Sequence, residues 1–364
     1  MTRVVILATA VLVASSLTST AQTGRVTADA RAQEGWTAIQ ERRFADALEA
    51  LTAAAGIDKS NPSLAAGAGL SAFMLGQDEE ARTWLERALK LAPAYPDASL
   101  LLGEVLYRGG RLQDAIEIYE RARKHNPGKP IFDEKIEQWT NEARRSRGLY
   151  ESRGAHFSVM FEGPADESLA RRAVEMLEAA YWRIGSVLGT YPPQPITTIL
   201  YTREQFKDVT RSPEWAAAAY DGRIHVPTQG ALERSGEFER VLAHEFVHAV
   251  VAMLGGRNVP VWLNEGLATA LESRDGADER TIGDGSSRPS LARLEGSFSR
   301  LAAADARVAY ALSGRAVEKM LQLRGAPALV ALLQDIGRGT PFANAFHQRM
   351  AMPYADFQLM VARE

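Results

Sequence analysis

Val241-Leu-Ala-His244-Glu245-Phe-Val-His248-Ala-Val-Val-Ala-Met-Leu254 holds three polar residues among fourteen. An apolar surround this complete predicts a buried helix. Burying two imidazoles and a carboxylate without partners costs several kcal/mol, so something must satisfy them. His244 and His248 stand at i and i+4, on one helix face and roughly 6 Å apart at Cβ. Two ring nitrogens so placed can converge on one metal ion at about 2.0–2.1 Å. Glu245 lies about 100° round the helix. It borders the same face and is placed to hold a water rather than to join as a ligand.

This His-Glu-x-x-His spacing on a helix is the metalloprotease pattern. The plainer alternative is a hydrogen-bonded His–Glu–His cluster with no metal. A catalytic zinc needs a third protein ligand. The metzincin continuation requires Gly and His where Val251 and Leu254 stand, and the inverted HxxEH order is absent. What remains is a glutamate on a following helix. Asn258 and Pro260 mark a turn, after which the chain reads Trp262-Leu-Asn264-Glu265-Gly266-Leu-Ala-Thr-Ala-Leu-Glu272.

WLNEGLA resembles the third-ligand segment of gluzincins of the aminopeptidase N type. The resemblance implies one zinc ion with Glu265 as third ligand beside His244 and His248. It also implies that Glu272, two turns further along the same face, orients a ligand imidazole; the plainer alternative is a surface glutamate at a helix end. Only 16 residues separate His248 from Glu265, fewer than in the aminopeptidases. The Gly-Ala-Met-Glu-Asn segment that grips a substrate amino terminus there is replaced by Ala217 to Pro227. The chain is more similar to the compact, peptidase-MA-like gluzincins that follow tetratricopeptide repeats in exported bacterial proteins. That likeness covers about residues 155 to 360. It implies peptide-bond hydrolysis, with Glu245 as the catalytic base and a Tyr or His from a later helix stabilising the oxyanion. Tyr310 is the candidate, with a packed core aromatic as its plain alternative; Tyr220 and His225 are further candidates.

The first third of the chain repeats at 34 residues. Gly35, Gly69 and Gly103 share that interval, as do Ala47, Ala81 and Ala115; Leu51, Leu85 and Tyr119; and Ala54, Ala88 and Ala122. Pro93 and Pro127 close the last two repeats, where proline stops a helix. The register resembles the tetratricopeptide repeat, a helix–turn–helix unit. Three repeats and a capping helix, Ile131 to Arg145, account for residues 27–145. On the cap, Ile136 and Trp139 are expected to face the repeats, with Asp133, Glu137 and Arg144 facing water. Such a stack is a docking surface for a protein or peptide, or else a spacer or self-association module.

Arg144, Arg145, Arg147, Gly148 and Gly154 mark a hinge, and residues 151–364 read as a second domain. His156 to Glu162, Ile196 to Tyr201 and Ile224 to Val226 read as strands, and Asp166 to Leu188 as a helix. From Glu237 the pattern is helical except for Asp275 to Pro289, a loop long enough to be functional. Ala326 to Glu364 reads as a helical lid or base, and His125, His156 and His347 show no ligand spacing. The fold class expected is mostly α: an α-solenoid of three repeats, then an α+β zincin-like domain with a small sheet and a helical C-terminal half.

The 364 residues are 46% hydrophobic and 24% charged, which excludes a disordered chain, a collagen-like fibre and a multispanning membrane protein. A net charge of −3 gives no basic excess to bind nucleic acid. The absence of cysteine excludes disulfides, thiolate ligands and a cysteine nucleophile. Residues 1–21 read as a secretory signal: Arg3, an apolar run from Val4 to Leu17, and small residues ending at Ala21. Export to the periplasm or beyond is expected, with no membrane span left after cleavage. Two functions compete. One is a zinc endopeptidase whose repeats recruit a protein substrate or partner. The other is a non-catalytic envelope scaffold with a structural zinc or a degenerate peptidase domain.

Overall fold

The computed structural model describes residues 27–146, 148–163, 166–202, 206, 219–228, 235–273, 289–298 and 301–363. The expected signal at 1–21, Arg147 of the expected hinge, and 275–288 of the expected loop lie outside the described residues.

The repeats form three helical hairpins. They are α1 (27–40) with α2 (Phe44–Ile57), α3 (Pro62–Met74) with α4 (Asp78–Leu91), and α5 (Pro96–Arg108) with α6 (Leu112–His125). Pro62 and Pro96 open α3 and α5, where a missing N–H costs nothing. A Cβ on Gly35, Gly69 or Gly103 would run into Leu51, Leu85 or Tyr119 respectively. The columns of small and large residues are therefore the packing of each hairpin on itself. Helix α7 (Pro130–Ser146) caps the stack with Ile136 and Trp139 buried and Asp133, Glu137 and Arg144 exposed. The Trp139 ring stacks on Tyr107 at 5.0 Å.

Five strands follow among the described residues: β1 (Tyr150–Arg153), β2 (Phe157–Phe161), β3 (Ile196–Tyr201), β4 (Ala219–Tyr220) and β5 (Ile224–Pro227). They form one sheet in the order β1-β2-β3-β5-β4, parallel at its centre and antiparallel at both edges. Helix α8 (Glu167–Leu188) connects β2 to β3. β1 occupies part of the stretch expected to be a hinge, because Tyr150 to Arg153 pairs with β2. Its side chains are nearly all exposed, so no alternation betrays it in the sequence.

The remaining described elements are helical: α9 (Ser235–Gly255), α10 (Val261–Leu271), a 3-10 turn (Leu291–Leu294), α11 (Ala303–Gly337), α12 (Phe342–Met350) and α13 (Tyr354–Ala362). α11 bends at Gly325, whose φ of +72° is left-handed, two residues before Pro327. Beyond the bend Leu329, Leu332, Leu333 and Ile336 are buried, forming a base under α9 and α10. No helix among the described residues is long and apolar enough to cross a membrane.

The turns inside the first two repeats bond to the second half, and the third repeat reaches it through the capping helix. Arg42 has a φ of +58°, where the next two repeats place Gly76 and Gly110, and its Nε donates to Asn258 at 2.9 Å. The Arg257 amide donates to Met74 O at 3.0 Å. In the third repeat Tyr107 donates to the fully buried Glu142 at 2.9 Å, and Arg223 from the β4–β5 turn pairs with the same carboxylate at 2.7 Å.

Candidate metal centre

α9 and α10 are joined by the turn 256–260 and pack against each other. α9 offers His244 and His248, with ring centroids 4.8 Å apart. α10 brings Glu265 opposite them. Its Oε2 lies 3.4 Å from Nε2 of His244 and 3.4 Å from Nε2 of His248. That is long for a hydrogen bond, and this buried oxygen makes none among the described residues. Two donors each about 2.0–2.1 Å from a tetrahedral centre stand about 3.4 Å apart. The two separations from Glu265 Oε2 thus match those between donors on one zinc ion, and the donor chemistry suits one.

The far side of each ring is held by an acceptor. Nδ1 of His244 bonds Glu272 Oε2 at 2.7 Å, and Nδ1 of His248 bonds Asn264 Oδ1 at 3.0 Å. When each ring is neutral, a proton held on Nδ1 leaves the Nε2 lone pair facing Glu265. Glu272, 5% exposed, also accepts from Arg240 at 2.8 Å. It is therefore a buried carboxylate bonded to His244, and not a surface one.

Glu265 is held in place by its neighbour. A Cβ on Gly266 would enter the Ser313 carbonyl, so the α10 backbone lies directly on α11. The electrostatics favour a cation. Burial disfavours the His244 imidazolium, yet Glu265 and Glu272 outweigh it and push its pKa up to about 10. Burial opposes ionisation of Glu265 as well, but both imidazoles hold its carboxyl below the usual range.

Glu245 follows His244 on the helix, 5% exposed, with Oε2 unbonded among the described residues. Burial pushes its carboxyl up, against the pull of both imidazoles. Glu245, both histidines, Glu265, Tyr220 and Tyr310 line one cavity of about 340 Å³. The Tyr310 ring is 6.2 Å from that of His244. Burial and the nearby carboxylates raise its hydroxyl pKa, which keeps it a donor.

His225 does not line this cavity. It is buried, with Nε2 on Asp221 at 3.0 Å and Nδ1 on Tyr201 at 3.3 Å. His156 pairs with Glu178 at 2.7 Å, while His125 and His347 are exposed on helices. Asn264 and Arg240 are members the sequence reading missed. Asn264 was findable, since each ligand imidazole needs an acceptor and Asn264 precedes the expected ligand.

Residues 33–96 and 85–130 match the family model of the tetratricopeptide repeat, so the N-terminal helices are tetratricopeptide repeats. No curated protein matches the chain.

Proposed function

We propose that residues 151–364 form a zincin-like, gluzincin-type endopeptidase that hydrolyses peptide bonds with one zinc ion held by His244, His248 and Glu265. What carries this is the unbonded Glu265 oxygen, 3.4 Å from two imidazole nitrogens whose other sides are engaged. When bound, zinc supplies a water of pKa near 7 and polarises the scissile carbonyl. Glu245 takes the proton of the attacking water and returns it to the leaving amine. Tyr310 donates to the carbonyl oxygen as negative charge builds on it. Glu272 and Asn264 keep both rings aimed.

Tyr220 lies on β4, an edge of the sheet, and also lines the cavity. An extended peptide can add to that edge and present its bond to Glu245. The repeats bind a protein, as substrate or partner, in the exported setting expected from residues 1–21.

The test is hydrolysis of an unfolded protein by the chain and by Glu245→Gln. The variant is expected to keep one equivalent of zinc while its rate falls by about 10²–10⁴-fold. Undiminished cleavage would remove Glu245 from the role. Stoichiometric zinc with no cleavage by the unmutated chain would favour the scaffold.

A further inference from the structure

Arg108 ends α5, in the third repeat, yet it lines the cavity that holds His244, Glu245, His248 and Glu265. It also lines an adjoining cavity of about 420 Å³, bounded by Pro192 to Pro195 and Met253. The two spaces share Arg108, Tyr220, Ala252, Gly256 and Arg257, so a groove runs past Arg108 to the histidines. The repeat pattern does not explain this arginine. The positions 34 and 68 residues before it hold Met74 and Gln40.

Other arginines around the groove are matched. Arg257 pairs with Asp78, Arg223 with Glu142, and Arg240 with Glu272. Arg108 has no ion pair or side-chain hydrogen bond among the described residues, and its Nε is buried without an acceptor. Its backbone is fixed: a Cβ on Gly222 (φ +110°) would meet Arg108 O at 3.3 Å and Cα at 3.5 Å. A part-buried guanidinium lacking an acceptor is costly, and a carboxylate matches its donors two at a time.

We propose that Arg108 anchors a substrate carboxylate, so that the groove takes peptides bearing an acidic side chain or a free C-terminus beside the scissile bond. The substrate class rests on the peptidase reading; the anchor itself does not require turnover. The repeats then form one wall of the binding groove besides recruiting a partner.

The test uses fluorescein-labelled short peptides of Ala, Leu and Ser carrying one central Glu or Gln, each with a free or amidated C-terminus. Binding is read by anisotropy on the full chain carrying Glu245→Gln, so that nothing is consumed. Peptides with the recognised carboxylate are expected to bind about tenfold or more tightly than those without it. Adding Arg108→Gln is expected to erase the difference, and Arg108→Lys to keep part of it, with zinc content unchanged. A Glu-over-Gln preference identifies an acidic side chain, and an acid-over-amide preference identifies the C-terminus. Equal affinity for all four peptides, including none, overturns the anchor. So does a preference that survives Arg108→Gln.

The same peptides separate the two proposals. Cleavage by the unmutated chain without carboxylate preference leaves the peptidase standing and removes the anchor. Binding that depends on both Arg108 and the carboxylate, with no cleavage, keeps the anchor and removes the hydrolase.

Discussion

Asp78, in the first turn of α4, accepts both terminal N–H groups of Arg257, at 2.7 and 2.9 Å. Arg257 sits in the turn between the two helices that carry the candidate ligands. Its guanidinium also lies 4.1 Å from the Phe73 ring centroid and donates to Phe73 O at 2.7 Å. The second repeat therefore braces the turn that sets α9 against α10.

Breaking this brace costs stability. Asp78→Asn and Arg257→Gln should each lower it by about 1–3 kcal/mol, since either leaves part of a charged partner unbonded. The double variant should cost no more than the worse single one, because both remove the same interaction. Urea denaturation of the four proteins checks this.

Gly266→Ala places a methyl in the Ser313 carbonyl. It should cost about 1–3 kcal/mol by overpacking and weaken zinc binding by displacing Glu265. Gly236→Ala, where a Cβ meets nothing within 4 Å, is the control and should not destabilise. Thermal melts and zinc titrations of both variants distinguish them.

Glu272→Gln keeps the size of the side chain but removes the charge that orients His244. Zinc affinity should fall by about 10–100-fold, measured by competition with a chelating dye. Unchanged affinity would make Glu272 a partner of Arg240 alone.

Asp335 supplies a pH dependence away from the site. Hydrogen bonds from Arg349, outweighing burial, and from Arg338 hold its carboxyl below the usual range. Its folded pKa thus lies below the unfolded value of about 3.9. The stabilisation is complete above the unfolded pKa and is lost as pH falls through the folded one. In urea melts, Asp335→Asn should be less stable than the parent near pH 7, and the gap should shrink below about pH 4.

The repeats were legible because glycine facing leucine or tyrosine recurs at a fixed interval, and each pair is one hairpin contact. β3 was legible from its β-branched run, and α9 from its apolar surround. β1 was not, because an exposed edge strand has no buried face. β4 was not, because two residues show no period. The spacing of His244 and His248 shows in the sequence, and so does the need for an acceptor such as Asn264; that Asn264 backs His248 emerges only when α10 is placed beside α9. Arg108 was hidden further, since its part in the cavity depends on how a repeat docks on the β4–β5 turn.

His244, His248 and Glu265 are proposed to hold one metal ion together. Metal content of the purified, dialysed chain, measured by plasma mass spectrometry beside Glu265→Ala and Glu245→Gln, tests it directly. One zinc per chain is expected in the unmutated protein and in Glu245→Gln, with zinc lost from Glu265→Ala. A folded chain without bound zinc, or full zinc occupancy in Glu265→Ala, would contradict it.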